Sequence, residues 1–81
     1  MLNEVRTVVA ETELLARPVE TLSDTDDLFE AGLTSYGSVR LMLALEDRFD
    51  VEFPETLLTR KTFATFAAMS EAVSTLVPEK V

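Results

Sequence analysis

The stretch Asp27-Leu28-Phe29-Glu30-Ala31-Gly32-Leu33-Thr34-Ser35-Tyr36-Gly37-Ser38-Val39-Arg40-Leu41-Met42-Leu43-Ala44-Leu45-Glu46-Asp47-Arg48-Phe49-Asp50-Val51-Glu52-Phe53-Pro54 decides how this chain folds. Val39, Met42, Leu43, Leu45 and Phe49 recur at helical spacing, which predicts a helix over 35–49 with a broad inward face. Thr34 or Ser35 can cap it, since a hydroxyl oxygen satisfies one of the unpaired amides of a helix's first turn. Gly32 closes the loop before this helix, and Asp50 to Phe53 reads as a connector after it.

Working outward, Leu2, Val5 and Val9, with Val8 and Leu15, fall at helical spacing and predict a first helix over 3–16 that Pro18 ends. Between Arg17 and Thr34, Pro18, Ser23, Asp24, Asp26, Asp27 and Gly32 are too many turn formers for a long helix. Val19, Leu22, Leu28, Phe29 and Leu33 punctuate that stretch, so a long loop pinned to the core is expected, with a helical turn near Asp26 to Ala31. On the other side, Pro54 suits the first position of a short helix through Leu58. Thr62 is expected to cap a last helix, with Phe66, Met69, Val73 and Leu76 inward and Pro78 as its terminator. No run alternates apolar and polar residues, so the fold class is all-α: a four-helix bundle of three longer helices and one short one, with a long loop between the first two.

Composition narrows the function. The chain has 81 residues, enough for one domain over 1–81, and 47% of them are hydrophobic, which suits a packed core. It has no histidine and no cysteine, so disulfides, zinc ribbons, iron–sulfur clusters and thiol nucleophiles are excluded and the commonest general base is missing. Fifteen acids against seven bases give a net charge of −8. Ten of those acids and only two bases, Arg40 and Arg48, lie between Glu20 and Glu55, so the middle segment carries the whole excess. Such acidity disfavours nucleic acid and anionic membranes, whose phosphates require lysine and arginine, and favours a basic partner protein. The longest uninterrupted apolar run, Leu41 to Leu45, is far short of a membrane span, and the acidic N-terminus is unlike a signal peptide, so a cytoplasmic monomer is expected.

Asp24-Thr25-Asp26-Asp27 begins like a calcium loop, but Phe29 stands at the sixth position and Ser35 at the twelfth, where glycine and glutamate are required. Asp26 and Asp27 as an acid–base pair would need a cleft that so short a chain does not provide. Phe29, Phe49, Phe53, Phe63 and Phe66 read as core, and Tyr36 as the aromatic residue facing outward. Gly32-Leu33-Thr34-Ser35-Tyr36 is different: a glycine-closed loop delivers a serine to the start of a helix. Its plain role is a cap. A phosphate on that hydroxyl would, however, meet the positive end of the helix dipole, an attraction of about 0.3–1 kcal/mol.

At these residues the chain resembles the acyl carrier proteins, whose pattern is a loop D-L-x-x-x-G-x-D-S-L, a helix V-E-L-x-x-x-L-E-x-x-F and a connector I-x-I-P. Residues 27–54 follow it by motif, and the helix plan extends the likeness over the chain. The resemblance implies a carrier without catalytic activity. Its serine, here Ser35, receives 4′-phosphopantetheine from coenzyme A through a magnesium-dependent phosphopantetheinyl transferase. Ser38, one turn into the helix, fits less well. The absent cysteine is then accounted for, because the cofactor brings the thiol that holds an acyl or aminoacyl group as a thioester.

Three departures stand out. Thr34 replaces the usual aspartate, Tyr36 the usual leucine, and Arg40 a glutamate that many members use toward basic partners. Arg40 changes the local charge by two units and points to a specialised pathway. Glu30, Glu46 and Asp47 remain as docking acids, with Tyr36, Arg40 and Met42 as further docking residues. Leu57-Leu58-Thr59-Arg60-Lys61-Thr62-Phe63-Ala64 is similar to small stand-alone carriers loaded with an amino acid by a ligase related to aminoacyl-tRNA synthetases. The partners so implied are the transferase, a loading ligase and downstream acyl- or aminoacyl-transferring enzymes. The alternative is an acidic adaptor of the same fold, in which Ser35 is only a cap.

Overall fold

A computed structural model describes residues 2–77, and the expected helix end at Pro78 lies outside them. Within them run four α-helices: α1 (Leu2–Thr12), α2 (Ser35–Phe49), α3 (Arg60–Phe63) and α4 (Phe66–Leu76). Two 3₁₀ turns, Val19–Thr21 and Glu55–Leu57, interrupt the connections. Among the described residues there is no strand, and no helix is long and apolar enough to cross a membrane.

Helix α2 has the predicted bounds, but its inward face is different. Gly37, Leu41 and Leu45 are buried, Met42 and Phe49 are half-buried, and Val39 and Leu43 are exposed. The sequence offers apolar residues around more of this helix than one core contact can cover, so period alone did not select the buried stripe. Asp50 ends the helix in the left-handed conformation (φ 58°). Helix α1 buries Val5, Val8 and Val9 against α2 and α4, but stops at Thr12 rather than 16 because Glu13 turns into positive φ (55°). Leu14 and Leu15 still pack on the core from the loop that follows.

That loop is pinned as expected, by side chains and also by backbone. Leu22, Leu28 and Leu33 are buried, while Val19 and Phe29 pack partly against the core. The Leu28 amide donates to the Ala64 carbonyl at 2.6 Å, and the Ala67 amide to the Asp24 carbonyl at 3.0 Å, which fastens the loop to the α3–α4 corner. Consecutive turn bonds from Glu30, Ala31 and Gly32 form the expected helical turn. Gly32 ends it at φ 110°, where a Cβ would stand 2.7 Å from that of Ala16, so only glycine fits both the backbone angle and the space. Arg6 of α1 organises the loop's first half. It donates to the Asp24 carboxylate (2.9 Å) and the Val19 and Leu22 carbonyls (3.0 and 2.7 Å), and its guanidinium lies 4.5 Å from the Phe66 ring centre.

The C-terminal third corrects two expectations. The short helix expected from Pro54 to Leu58 is a single 3₁₀ turn, and the short α-helix is α3. Thr62 does not cap the last helix: it is buried inside α3, which Thr59 caps, and Thr65 caps α4 by accepting from the Ala68 amide at 2.9 Å. Thr59, Thr62 and Thr65 stand three apart, and each has the chemistry of a cap. In α4, Phe66, Met69, Ala72 and Val73 are buried and Leu76 is half-buried, close to the expected stripe.

Candidate functional site

Two hydroxyl residues meet at the start of α2, and they divide the work. Thr34, extended at φ −102°, accepts the Gly37 amide on its side-chain oxygen at 2.9 Å and is the cap. Gly37 allows this closeness, since a Cβ there would stand 3.3 Å from the Thr34 oxygen and 2.9 Å from Leu33 Cδ1. Ser35 is thereby relieved of capping. It is exposed, and among the described residues its hydroxyl makes no hydrogen bond. Ser38 is the opposite case: half-buried, it donates to the Ser35 carbonyl at 2.7 Å. Thr34→Ala should destabilise the fold by about 1 kcal/mol, and Thr34→Asp should restore that loss. Urea unfolding checks this, and an unchanged midpoint for the alanine variant would show that the cap contributes nothing.

Ser35 opens onto a groove of about 370 Å³ between α2 and the segment around α3. Val39, Met42, Leu58 and Phe63 give it apolar walls, Ser38 and Thr59 bring hydroxyls, and Arg60 closes one side with its guanidinium 4.0 Å from the Phe29 ring centre. Sequence reading placed Phe29 in the core and did not single out Leu58 or Arg60 as a wall of this site. The signal was the Leu-Leu-x-Arg-Lys-x-Phe-Ala stretch, taken there only as a family likeness.

The residues expected to dock partners fall on two sides. Tyr36 is 68% exposed, as expected, and the Arg40 guanidinium reaches back one turn to donate to its hydroxyl at 3.1 Å. Val39 and Leu43 continue that exposed face, and Met42 lies in the groove wall. Glu30 and Asp47 are exposed. Glu46 is half-buried, and its carboxylate accepts the Phe53 amide at 2.8 Å, so it holds the connector.

The loop carboxylates are engaged in structure. Asp24 pairs with Arg6, and Asp27 accepts the Phe29 amide at 2.9 Å. Asp26 accepts the Ser23 amide at 2.8 Å, and that bond holds its carboxyl below the usual carboxylate range. No group of three or more metal-ligating side chains gathers among the described residues.

The family model described as the phosphopantetheine attachment site matches residues 3–73, and the chain belongs to that family. Its cofactor is covalent 4′-phosphopantetheine. The hydroxyl of Ser35, exposed, unbonded among the described residues and beside a mostly apolar groove, fits such a group. The chain is 43% identical to an aminoacyl carrier protein of Agrobacterium fabrum, over 94% of this chain and 92% of that protein. It is 38% identical to a D-alanyl carrier protein of Streptococcus sanguinis, over 79% and 81%. It also matches a chain in the crystal structure of an engineered Bradyrhizobium japonicum glycine:[carrier protein] ligase complexed with carrier protein from Agrobacterium tumefaciens and ATP. That match has a TM-score of 0.85 and 43% identity, covering 93% of this chain and 99% of the other.

Proposed function

We propose that this chain is a stand-alone aminoacyl carrier. Ser35 accepts 4′-phosphopantetheine, and the cofactor's terminal thiol supplies the thioester linkage that holds an amino acid for partner enzymes. The carrying observation is the division of labour at α2: Thr34 caps the helix and leaves the Ser35 hydroxyl exposed and unbonded. In the loading reaction the Ser35 oxygen bonds to the pantetheine-side phosphorus of coenzyme A's diphosphate, the bond from that phosphorus to the bridging oxygen breaks, adenosine 3′,5′-bisphosphate leaves, and the hydroxyl proton is lost. The similarity to aminoacyl and D-alanyl carriers, and to a chain crystallised with a glycine ligase, favours an amino acid as cargo and an amino acid ligase as loading partner. The chemistry of activation belongs to those partners, and this chain presents the cargo. Incubation with coenzyme A, magnesium and a broad-specificity transferase should add the mass of one phosphopantetheine. An unchanged mass would return the chain to an acidic adaptor.

In this reading Tyr36, Arg40 and Met42 form the contact face of α2, with Glu30, Glu46 and Asp47 as its acids. The Tyr36–Arg40 bond places a fixed cation where an acidic carrier face is expected. Arg40→Glu should strengthen binding to fatty-acid synthase enzymes by about two- to fivefold, the range of an exposed ion pair. Calorimetric titration measures it, and equal affinities would leave Arg40 without a role in partner choice.

A further inference from the structure

Among the described residues, the groove beside Ser35 has one charged side chain in its wall, Arg60, and that side chain is braced. Its guanidinium rests on the Phe29 ring at 4.0 Å, a cation–π contact that holds an otherwise exposed residue over the groove. The other arginines have partners elsewhere or lie outside the wall. Arg40 donates to the Tyr36 hydroxyl, Arg48 pairs with Glu11 at 3.0 Å across α2 and α1, and Arg6 pairs with Asp24. Lys61 faces a separate hollow with Leu57 and Glu71.

This matters because of what attachment adds. A phosphodiester on Ser35 places one more negative charge on a chain already at −8, within the acidic segment 20–55. Beyond its phosphate, phosphopantetheine presents a dimethyl-substituted carbon and then two amides. The groove offers matching chemistry: a cation in Arg60, apolar wall in Val39, Met42 and Leu58, and hydroxyls on Ser38 and Thr59. A guanidinium suits a phosphate, because its planar fork can donate two parallel hydrogen bonds.

We propose that Arg60, braced on Phe29, is a positioning residue that folds the phosphopantetheine arm into the groove by facing its phosphodiester. The inference rests on attachment at Ser35.

The test uses the native chain, Arg60→Ala and Arg60→Lys, each converted to the phosphopantetheinylated form and checked by intact mass and thermal unfolding. Methyl spectra before and after loading report the environment of Val39, Met42 and Leu58, and phosphorus spectra report the phosphodiester. In the native protein, loading should shift those methyls, and raised salt should diminish the shifts because it screens the guanidinium–phosphate attraction. In Arg60→Ala the shifts should fall by more than half at unchanged loading, with the phosphorus resonance moving, and Arg60→Lys should recover part of both. Native methyls unmoved by loading, or shifts of equal size in Arg60→Ala, would overturn the proposal. Absence of the mass gain in the native chain would instead overturn attachment, and this inference with it.

Discussion

Ser35→Ala should take up no phosphopantetheine under conditions that load the native chain fully, whereas Ser38→Ala should load as the native chain does. The two serines lie one helical turn apart beside the same groove, and their burial and their hydroxyls' engagements separate them. Ser38 is half-buried and bonds back to the Ser35 carbonyl at 2.7 Å, so a transferase would have to break that bond and reach into the groove. Ser35 is exposed, and its hydroxyl bonds to nothing among the described residues. The alanine variant should also stay folded, within about 0.5 kcal/mol, since the cap is Thr34 and an exposed position tolerates replacement. Loss of loading would therefore report the missing nucleophile. Equal loading of Ser35→Ala and the native chain, by intact mass, would refute this assignment.

The second large effect concerns stability. Arg6→Ala should cost about 2–4 kcal/mol, from loss of hydrogen bonds to the Asp24 carboxylate and two backbone carbonyls and of the stacking on Phe66. The side chain is 23% exposed, so much of this hydrogen bonding is shielded from water, and the carbonyls of Val19 and Leu22 would be left without that donor. A domain of this size has about 4–12 kcal/mol of stability in all. The melting midpoint should fall by roughly 10–25 °C, and the loop through Asp24 should lose hydrogen-exchange protection first. A cost below about 1 kcal/mol in urea unfolding would mean that the apolar anchors hold the loop unaided.

What the sequence made legible follows from the range of the forces involved. The bounds of α2, the turn before Gly32 and the outward Tyr36 are local matters of period, capping and glycine geometry, and they emerged as expected. The choice among Thr59, Thr62 and Thr65 as caps was not local. It was settled by tertiary bonds at the break, where the Ala64 carbonyl accepts the Leu28 amide and the Ala67 amide donates to the Asp24 carbonyl, so neither group is left to a helix running on from α3 into α4. Likewise Val39 and Leu43 obey helical period yet are exposed, because the stripe of α2 that the fold buries is Gly37, Leu41 and Leu45.

The site divided in the same way. The place of Ser35 at the start of α2 was legible from the sequence, but that Thr34 rather than Ser35 takes the cap depended on Gly37 allowing a close approach. The contacts of Arg6 and Arg60 were not legible in the sequence, where only the stretch around Arg60 stood out, as a family likeness. Each acts across the fold on an aromatic ring, Phe66 and Phe29, that only tertiary packing brings near.

Loading of the phosphopantetheinylated chain with an amino acid is the most direct measure of the aminoacyl carrier function. With a glycine:[carrier protein] ligase, ATP and glycine, the intact mass should rise by one glycyl group. That increment should be released by hydroxylamine, as a thioester is, and should be missing from Ser35→Ala. No increment with any amino acid, together with ready loading by a fatty acyl ligase, would contradict it.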